Sequence, residues 1–453
     1  MTLAPRSGAR NTIWAVVALS VFSGLRVPPL RAQTTPGVYA ITNAKIYTLA
    51  GPPIEKGIVI IRDGKIAAVG TNVEIPEGAR IVQAAGMELY PGLFDPVTQI
   101  GLTEIGAVSA TNDTNELGKF NPEIVAATAV NPASAHIGVT RASGITHVVS
   151  VPGIASFDSQ SGGIIPGQAS AFHLLGWTMD EMQIRRSIAL TLNWPSIQTR
   201  TFDFSIFDFK EKPYADAKKE YEQSVNELGD LLDRARHYAQ AKEKGSPASY
   251  ERDLKLEALV PVVEGKLPVL VVAAKARDIR NAVEFCTKQG LKMILADGAE
   301  AWKVEELLKE KAIPVILGPS EQLPDEDDDP YDKPMTLPAE LNAAGIPIAF
   351  SSFGTSFSRR LSQYAGTAVA FGLPHDEALK AITVNAAKML GLGDQFGTIE
   401  AGKVANLLLT DGDPLEIRTQ VRLLFINGQQ TSTDNRHLDL YGEYRKRPAA
   451  PQQ

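Results

Sequence analysis

Short apolar runs alternate with helix-patterned ones between about residues 145 and 390, and this rhythm limits the fold more than any other feature. Residues 145–151, 267–273, 293–295, 314–317 and 346–350 are apolar along nearly their whole length, as strands covered on both faces are. Residues 282–289, 299–311 and 376–390 instead carry apolar side chains at helical spacing. Strands and helices in alternation predict a parallel α/β architecture. A (β/α)8 TIM-like barrel, which needs roughly 250 residues, is the economical form for a central region of this length.

Both flanks differ from that centre. Residues 39–82 hold short β-branched runs separated by turns, with Asp63-Gly64 between two of them, a strong hairpin signal. The same character returns in residues 407–409 and 423–428, so a small β-sandwich built from both termini is expected. The predicted organisation is a leader over 1–32, sandwich segments over 33–90 and 395–430, a barrel over 91–394 and a tail over 431–453. Within the barrel lies a helical insertion around 200–260. Its residues 214–244 are rich in Ala, Glu, Lys and Leu and space Tyr221, Val225, Leu228, Leu231 and Leu232 along one face, predicting a long amphipathic helix. The aromatic and polar alternation from Phe202 to Phe209 reads as packing of this insertion onto the barrel rim.

The leader has Arg6 and Arg10 ahead of an apolar run from Ile13 to Leu25, too short to span a bilayer comfortably. It reads as a signal peptide cleaved after Ala32, with export to a periplasmic or extracellular space and no stable membrane span afterwards. Cleavage removes four arginines and no acids, taking the formal charge from −7 to −11. So acidic a chain is a poor binder of phosphate backbones, and nucleic acid is not an expected partner. The single cysteine, Cys286, reads as a buried, inert thiol in a helix.

The chemistry-bearing segment is Tyr90-Pro91-Gly92-Leu93-Phe94-Asp95, followed by Pro96-Val97-Thr98-Gln99. It resembles the opening barrel strand of the amidohydrolase superfamily, where a Pro-Gly-Leu-Ile-Asp stretch leads into His-x-His. A second resemblance is C-terminal: Thr383-Val384-Asn385-Ala386-Ala387-Lys388-Met389-Leu390-Gly391, then Gly397-Thr398-Ile399-Glu400-Ala401-Gly402-Lys403-Val404-Ala405-Asn406-Leu407. This is similar to the T-x-N-x-A-x-x-L-G … G-x-I-x-x-G-K-x-A-D-L signature of imidazolonepropionase-like metal-dependent hydrolases, with Asn406 where Asp is usual.

The resemblance implies hydrolysis of non-peptide C–N bonds by water activated on one or two divalent metals at strand ends. The implied ligands are His-x-His on strand 1, one histidine each on strands 5 and 6, and an aspartate on strand 8. Those positions hold Val97 and Gln99, Ala273, Asp297 and Phe353, with Lys275 at a second, often polar, place after strand 5. Val97 and Gln99 are not serviceable zinc ligands. None of His136, His147, His173, His237, His375 and His437 is paired at a metal-ligating spacing. His147 reads as a structural histidine and His375 as a helix-start residue. The acidic run from Asp325 to Asp332 lacks EF-hand spacing and reads as a solvated loop. Trp194 and Trp302 read as packing residues.

No cofactor is therefore expected, and zinc only if a site has been rebuilt. Gln99, Lys275 and Asp297 are the candidate functional residues, and Lys275 and Asp297 are expected to pair where metal and ligands would sit. Three functional readings stand. One is an exported amidohydrolase-like barrel that has lost metal-dependent catalysis and keeps a small-molecule ligand in its mouth, with self-association or pairing to an active relative. The second is an active hydrolase with a rebuilt metal site. The third is a metal-free enzyme using Lys275, Asp297 or Asp95.

Overall fold

The computed structural model describes residues 37–155, 162–203, 208–245, 251–324 and 326–447. The expected signal peptide lies outside them, as do Asp325 and part of the aromatic run before the insertion.

Eight strands form the barrel: β1 Leu93–Thr98, β2 Ile145–Ser150, β3 Gly167–His173, β4 Gln183–Asn193, β5 Val269–Ala273, β6 Met293–Asp297, β7 Val315–Leu317 and β8 Ile348–Phe350. Each is hydrogen-bonded to the next in that order. Their apolar character on both faces follows from what each face meets. In β5, Leu270 points into an interior cluster with Phe94, Val149, Ile188, Ile294, Ile316 and Ala349. Its neighbours Val269 and Val271 point outward to the layer that holds the helices.

One strand departs from the all-parallel expectation. β3 runs antiparallel to both β2 and β4, whereas β4 to β8 are mutually parallel. A parallel neighbour requires a long crossover, usually a helix. The described residues between β2 and β3 form none.

The barrel closes between β8 and β1 through side chains and the chain beyond β8. Phe353 N donates to Val97 O at 2.9 Å, and Ser351 Oγ both accepts from Val97 N and donates to Val97 O. The Asp95 carboxylate accepts from Ser351 Oγ, from Ser352 N at 3.1 Å and from Ser358 Oγ at 2.7 Å.

The two termini build one further eight-stranded sheet from Tyr39–Ile46, Ile54–Arg62, Lys65–Gly70, Arg80–Gln83, Glu88–Pro91, Leu407–Thr410, Val421–Ile426 and Gln429–Thr431. It has its own core of Ile41, Ile46, Val59, Ile61, Leu89, Leu407 and Phe425. Asp63 and Gly64 both have positive φ, +52° and +77°, the mirror-image turn that matches strand twist in a two-residue hairpin. The inserted helix spans Tyr214–Lys244 and buries Leu228, Leu231, Leu232, Ala235 and Tyr238. The segment expected as one helix over 376–390 is two, His375–Ala381 and Val384–Met389. Between them the Thr383 hydroxyl donates to Leu379 O at 2.6 Å, a local bond that competes with continued winding. Phe209, expected to pack on the rim, is 46% exposed under the Arg200 guanidinium. The predicted tail contains a helix, Arg436–Tyr444.

Candidate functional site

In a barrel of this kind the reactive face lies at the C-terminal ends of the strands. At the end of β1, Val97 and Gln99 are fully buried. Val97 belongs to the interior apolar cluster, and so does Ile154 from the loop after β2. The Gln99 amide donates from Nε2 to Ile154 O at 2.9 Å. Asn193, the last residue of β4, holds the same loop through Nδ2 to Gly153 O at 2.7 Å and Gly163 O at 3.0 Å. The centre of the mouth is therefore filled by an apolar plug tethered by two amides.

The remaining strand ends bring Ala273, Asp297 and Phe353 to the same face. Ala273 and Asp297 are register partners. Asp297 and Phe353 both adopt left-handed backbone, φ +78° and +54°. Aspartate tolerates that region, but a bulky side chain there costs roughly 1–2 kcal/mol. Asp297 lines two small cavities. One, of about 250 Å³, also meets Gln322, Ser352, Phe353 and Phe357. The other, of about 160 Å³, meets Gln322, Asp329 and Lys333.

Lys275 precedes the helix Ala276–Lys288. Its ion pairs among the described residues are with Glu326 and, at 3.8 Å, Glu300, not the expected partner Asp297. The turn from β5 into that helix carries Lys275 past the strand end, toward the loop bearing Glu326. Glu300 is buried, and its Oε2 accepts from Ala276 N at 2.7 Å, where a carboxylate also suits the helix dipole. A third cleft, of about 620 Å³, opens here between the ends of β4 and β5, lined by Trp194, Gln198, Ala273, Lys275, Arg277 and Glu326 among others. Trp194 packs on Phe285 as expected, and it also walls this cleft.

Asp95 lies in the closed seam rather than in a cavity. Burial pushes its carboxyl above the ordinary range, while hydrogen bonds from Ser351, Ser352 and Ser358 oppose the shift. His147 and His173 are also buried away from the mouth. His147 stacks on Phe94 with ring centroids 4.2 Å apart, and Asn406 Nδ2 stands 3.3 Å from Nδ1 of both histidines. Burial lowers both, His173 to about 4, so each is neutral at neutral pH. For His375, burial is outweighed by Asp413 and Asp376, which raise it. Burial pushes the Cys286 thiol up to about 12, in keeping with an inert role.

The ligand question turns on donor chemistry. Val97, Ala273 and Phe353 have no side-chain atom that can ligate a metal, and Gln99 puts a neutral amide where imidazole would serve zinc. Among the described residues no three His, Cys, Asp or Glu side chains gather to hold a metal ion. A divalent cation does not fit these residues.

Comparison with known proteins fixes the lineage. Residues 273–434 match the Amidohydrolase family. A solved amidohydrolase from Thermotoga maritima MSB8 superposes with a TM-score of 0.74 at 27% identity, over 87% of this chain and 99% of that one. This chain belongs to the amidohydrolase superfamily.

It is 53% identical to the imidazolonepropionase of Sphingopyxis alaskensis over 51 residues, 11% of this chain and 13% of that protein. Similarity to Amidohydrolase tasK of Hapsidospora irregularis is 23% over 83% of this chain, which spans only 39% of that protein's length. The superfamily consists of hydrolases of C–N bonds that usually bind divalent metals.

Sequence reasoning named the positions at the ends of β1, β5, β6 and β8, and the structure brings Val97, Gln99, Ala273, Asp297 and Phe353 to one face. It missed Ile154 and Asn193, which act through loop geometry that no periodicity announces. Arg277 and Glu300 carried one visible signal, their places just after the apolar runs of β5 and β6.

Proposed function

We propose that this amidohydrolase-superfamily chain has lost metal-dependent hydrolysis and retains its barrel mouth as a binding site for a small molecule. The observation that carries this reading is the plug. Val97 stands at an expected ligand position and packs with Ile154, while Gln99, at the other, spends its amide on the loop that delivers Ile154. Restoring a metal site requires displacing that loop as well as changing side chains. Three clefts around the plug keep polar side chains at the rim, as small-molecule sites do. The charged and apolar lining is suited to orienting a ligand.

Export through cleavage after Ala32 belongs to the same proposal, supported by the arginines and apolar run of residues 1–32. Amino-terminal sequencing of secreted protein should begin at Gln33.

Thermal unfolding with saturating Zn²⁺ or Mn²⁺, against the same protein in EDTA, tests the loss of the metal site. A ligand that binds the folded state raises its stability by mass action. The midpoints should coincide; a rise of several degrees reversed by EDTA would overturn the proposal.

A further inference from the structure

We infer that the cleft between the ends of β4 and β5 is a binding site for a small zwitterion, a carboxylate and an ammonium joined by an apolar spacer. The inference rests on the binding reading above and adds the ligand's chemistry. At about 620 Å³ the cleft is large enough for such a molecule.

Its donors point to the carboxylate. The Trp194 indole N–H is out of solvent's reach beside the Tyr221 hydroxyl, so the donors the cleft offers are the side chains of Lys275 and Arg277. Arg277 lines the same cleft, half exposed. Its Nε donates to Asp278 Oδ1 at 3.2 Å, and its two terminal nitrogens meet no described acceptor. That planar fork matches a carboxylate in a bidentate pair.

Its acceptors point to the ammonium. Glu326 takes the Lys275 ammonium on Oε1, and its Oε2 has no described partner. The lining has two bases, Lys275 and Arg277, against three acids, Asp278, Glu300 and Glu326. A simple anion would meet net repulsion there, whereas a molecule bearing both charges satisfies both ends. The Trp194 face and the Val272–Ala274 stretch supply an apolar floor for the spacer.

Titration calorimetry of the mature protein with ω-amino acids from β-alanine to 8-aminooctanoate tests the inference. N-acetylated and carboxamide forms serve as single-charge controls. Saturable binding should appear at one spacer length and weaken in both controls. Arg277→Met should lower affinity by about tenfold or more, the usual worth of a charge-assisted pair. Trp194→Phe, which keeps an aromatic wall and removes an N–H that faces Tyr221, should leave it nearly unchanged. Should either variant unfold, Glu326→Gln at the exposed rim should selectively reduce binding of the zwitterion and leave that of the N-acetyl form unchanged. No binding to wild type across the series, or binding indifferent to Arg277→Met and Glu326→Gln, would overturn the site. Such a failure would leave the metal content of the protein, and the reading of lost metal-dependent hydrolysis, untouched.

Discussion

Truncating the plug is the sharpest perturbation of the mouth. Ile154 is fully buried in the cluster that holds Val97, Phe94 and Val151, although it belongs to a connection rather than a strand. Ile154→Ala removes three carbons from that cluster. At roughly 0.8 kcal/mol for each buried methylene, transfer alone is about 2–2.5 kcal/mol, and the unfilled space raises the expected loss to roughly 3–4 kcal/mol. Gln99→Leu leaves the Ile154 carbonyl without its donor, which costs about 1–3 kcal/mol. The two residues serve one contact, so their effects should not add. Urea unfolding of the wild type, both single variants and the double variant measures these losses. If Ile154→Ala costs less than about 1 kcal/mol, as an undocked surface loop would, or if the two losses simply sum, the tethered plug is refuted.

Three other outcomes follow from the same structure. His173 falls from 6.5 to about 4 on folding, so the unfolded chain binds the extra proton between those values. Stability is full above pH 6.5, is lost as pH falls toward 4 and levels off below, by about 3 kcal/mol for this group; His147 acts in the same direction. His173→Gln should flatten that part of a denaturation profile measured from pH 7 to 4, and an unchanged slope would contradict the burial account. His375 is raised, so its contribution is present below the unfolded value and is lost as pH rises through the folded one; His375→Gln should remove that trend. Asp95→Ala removes the acceptor that Ser351, Ser352 and Ser358 share in the barrel seam, stranding Ser352 N and Ser358 Oγ while Ser351 keeps Val97 O. It should destabilise by at least about 3 kcal/mol in the same urea assay, and a loss below 1 kcal/mol would mean that the seam does not depend on the carboxylate.

Much of the fold can be read from local pattern because its signals are local. The helix Tyr214–Lys244 has the expected bounds, since one continuous apolar face and many strong helix formers agree. Strands β5 to β8 fall within the apolar runs or within two residues of them. Strand direction is different: apolarity marks a buried strand without giving its polarity, so the reversal of β3 is invisible in residues 167–173. The break at Thr383 depends on a single hydroxyl, too small a signal to interrupt a periodic segment.

The site divides the same way. Positions fixed by the strand-end frame were legible, which is why Val97, Gln99, Ala273, Asp297 and Phe353 share a face. What surrounds them comes from loops. Ile154 reaches the mouth because Gln99 binds its carbonyl and Asn193 that of the preceding Gly153, and Lys275 meets Glu326 because the turn into the next helix carries it there. Both outcomes depend on chain paths between elements. The positive φ of Asp297 and Phe353 is likewise a property of the strand ends that their side chains do not advertise.

Metal stoichiometry tests the central claim most directly. The chain from residue 33 onward, incubated with Zn²⁺, Mn²⁺ and Fe²⁺, desalted and analysed by ICP-MS, should retain close to zero metal ions per chain. A stoichiometry near one, especially with hydrolysis of a cyclic amide or N-acyl amino acid, would contradict it.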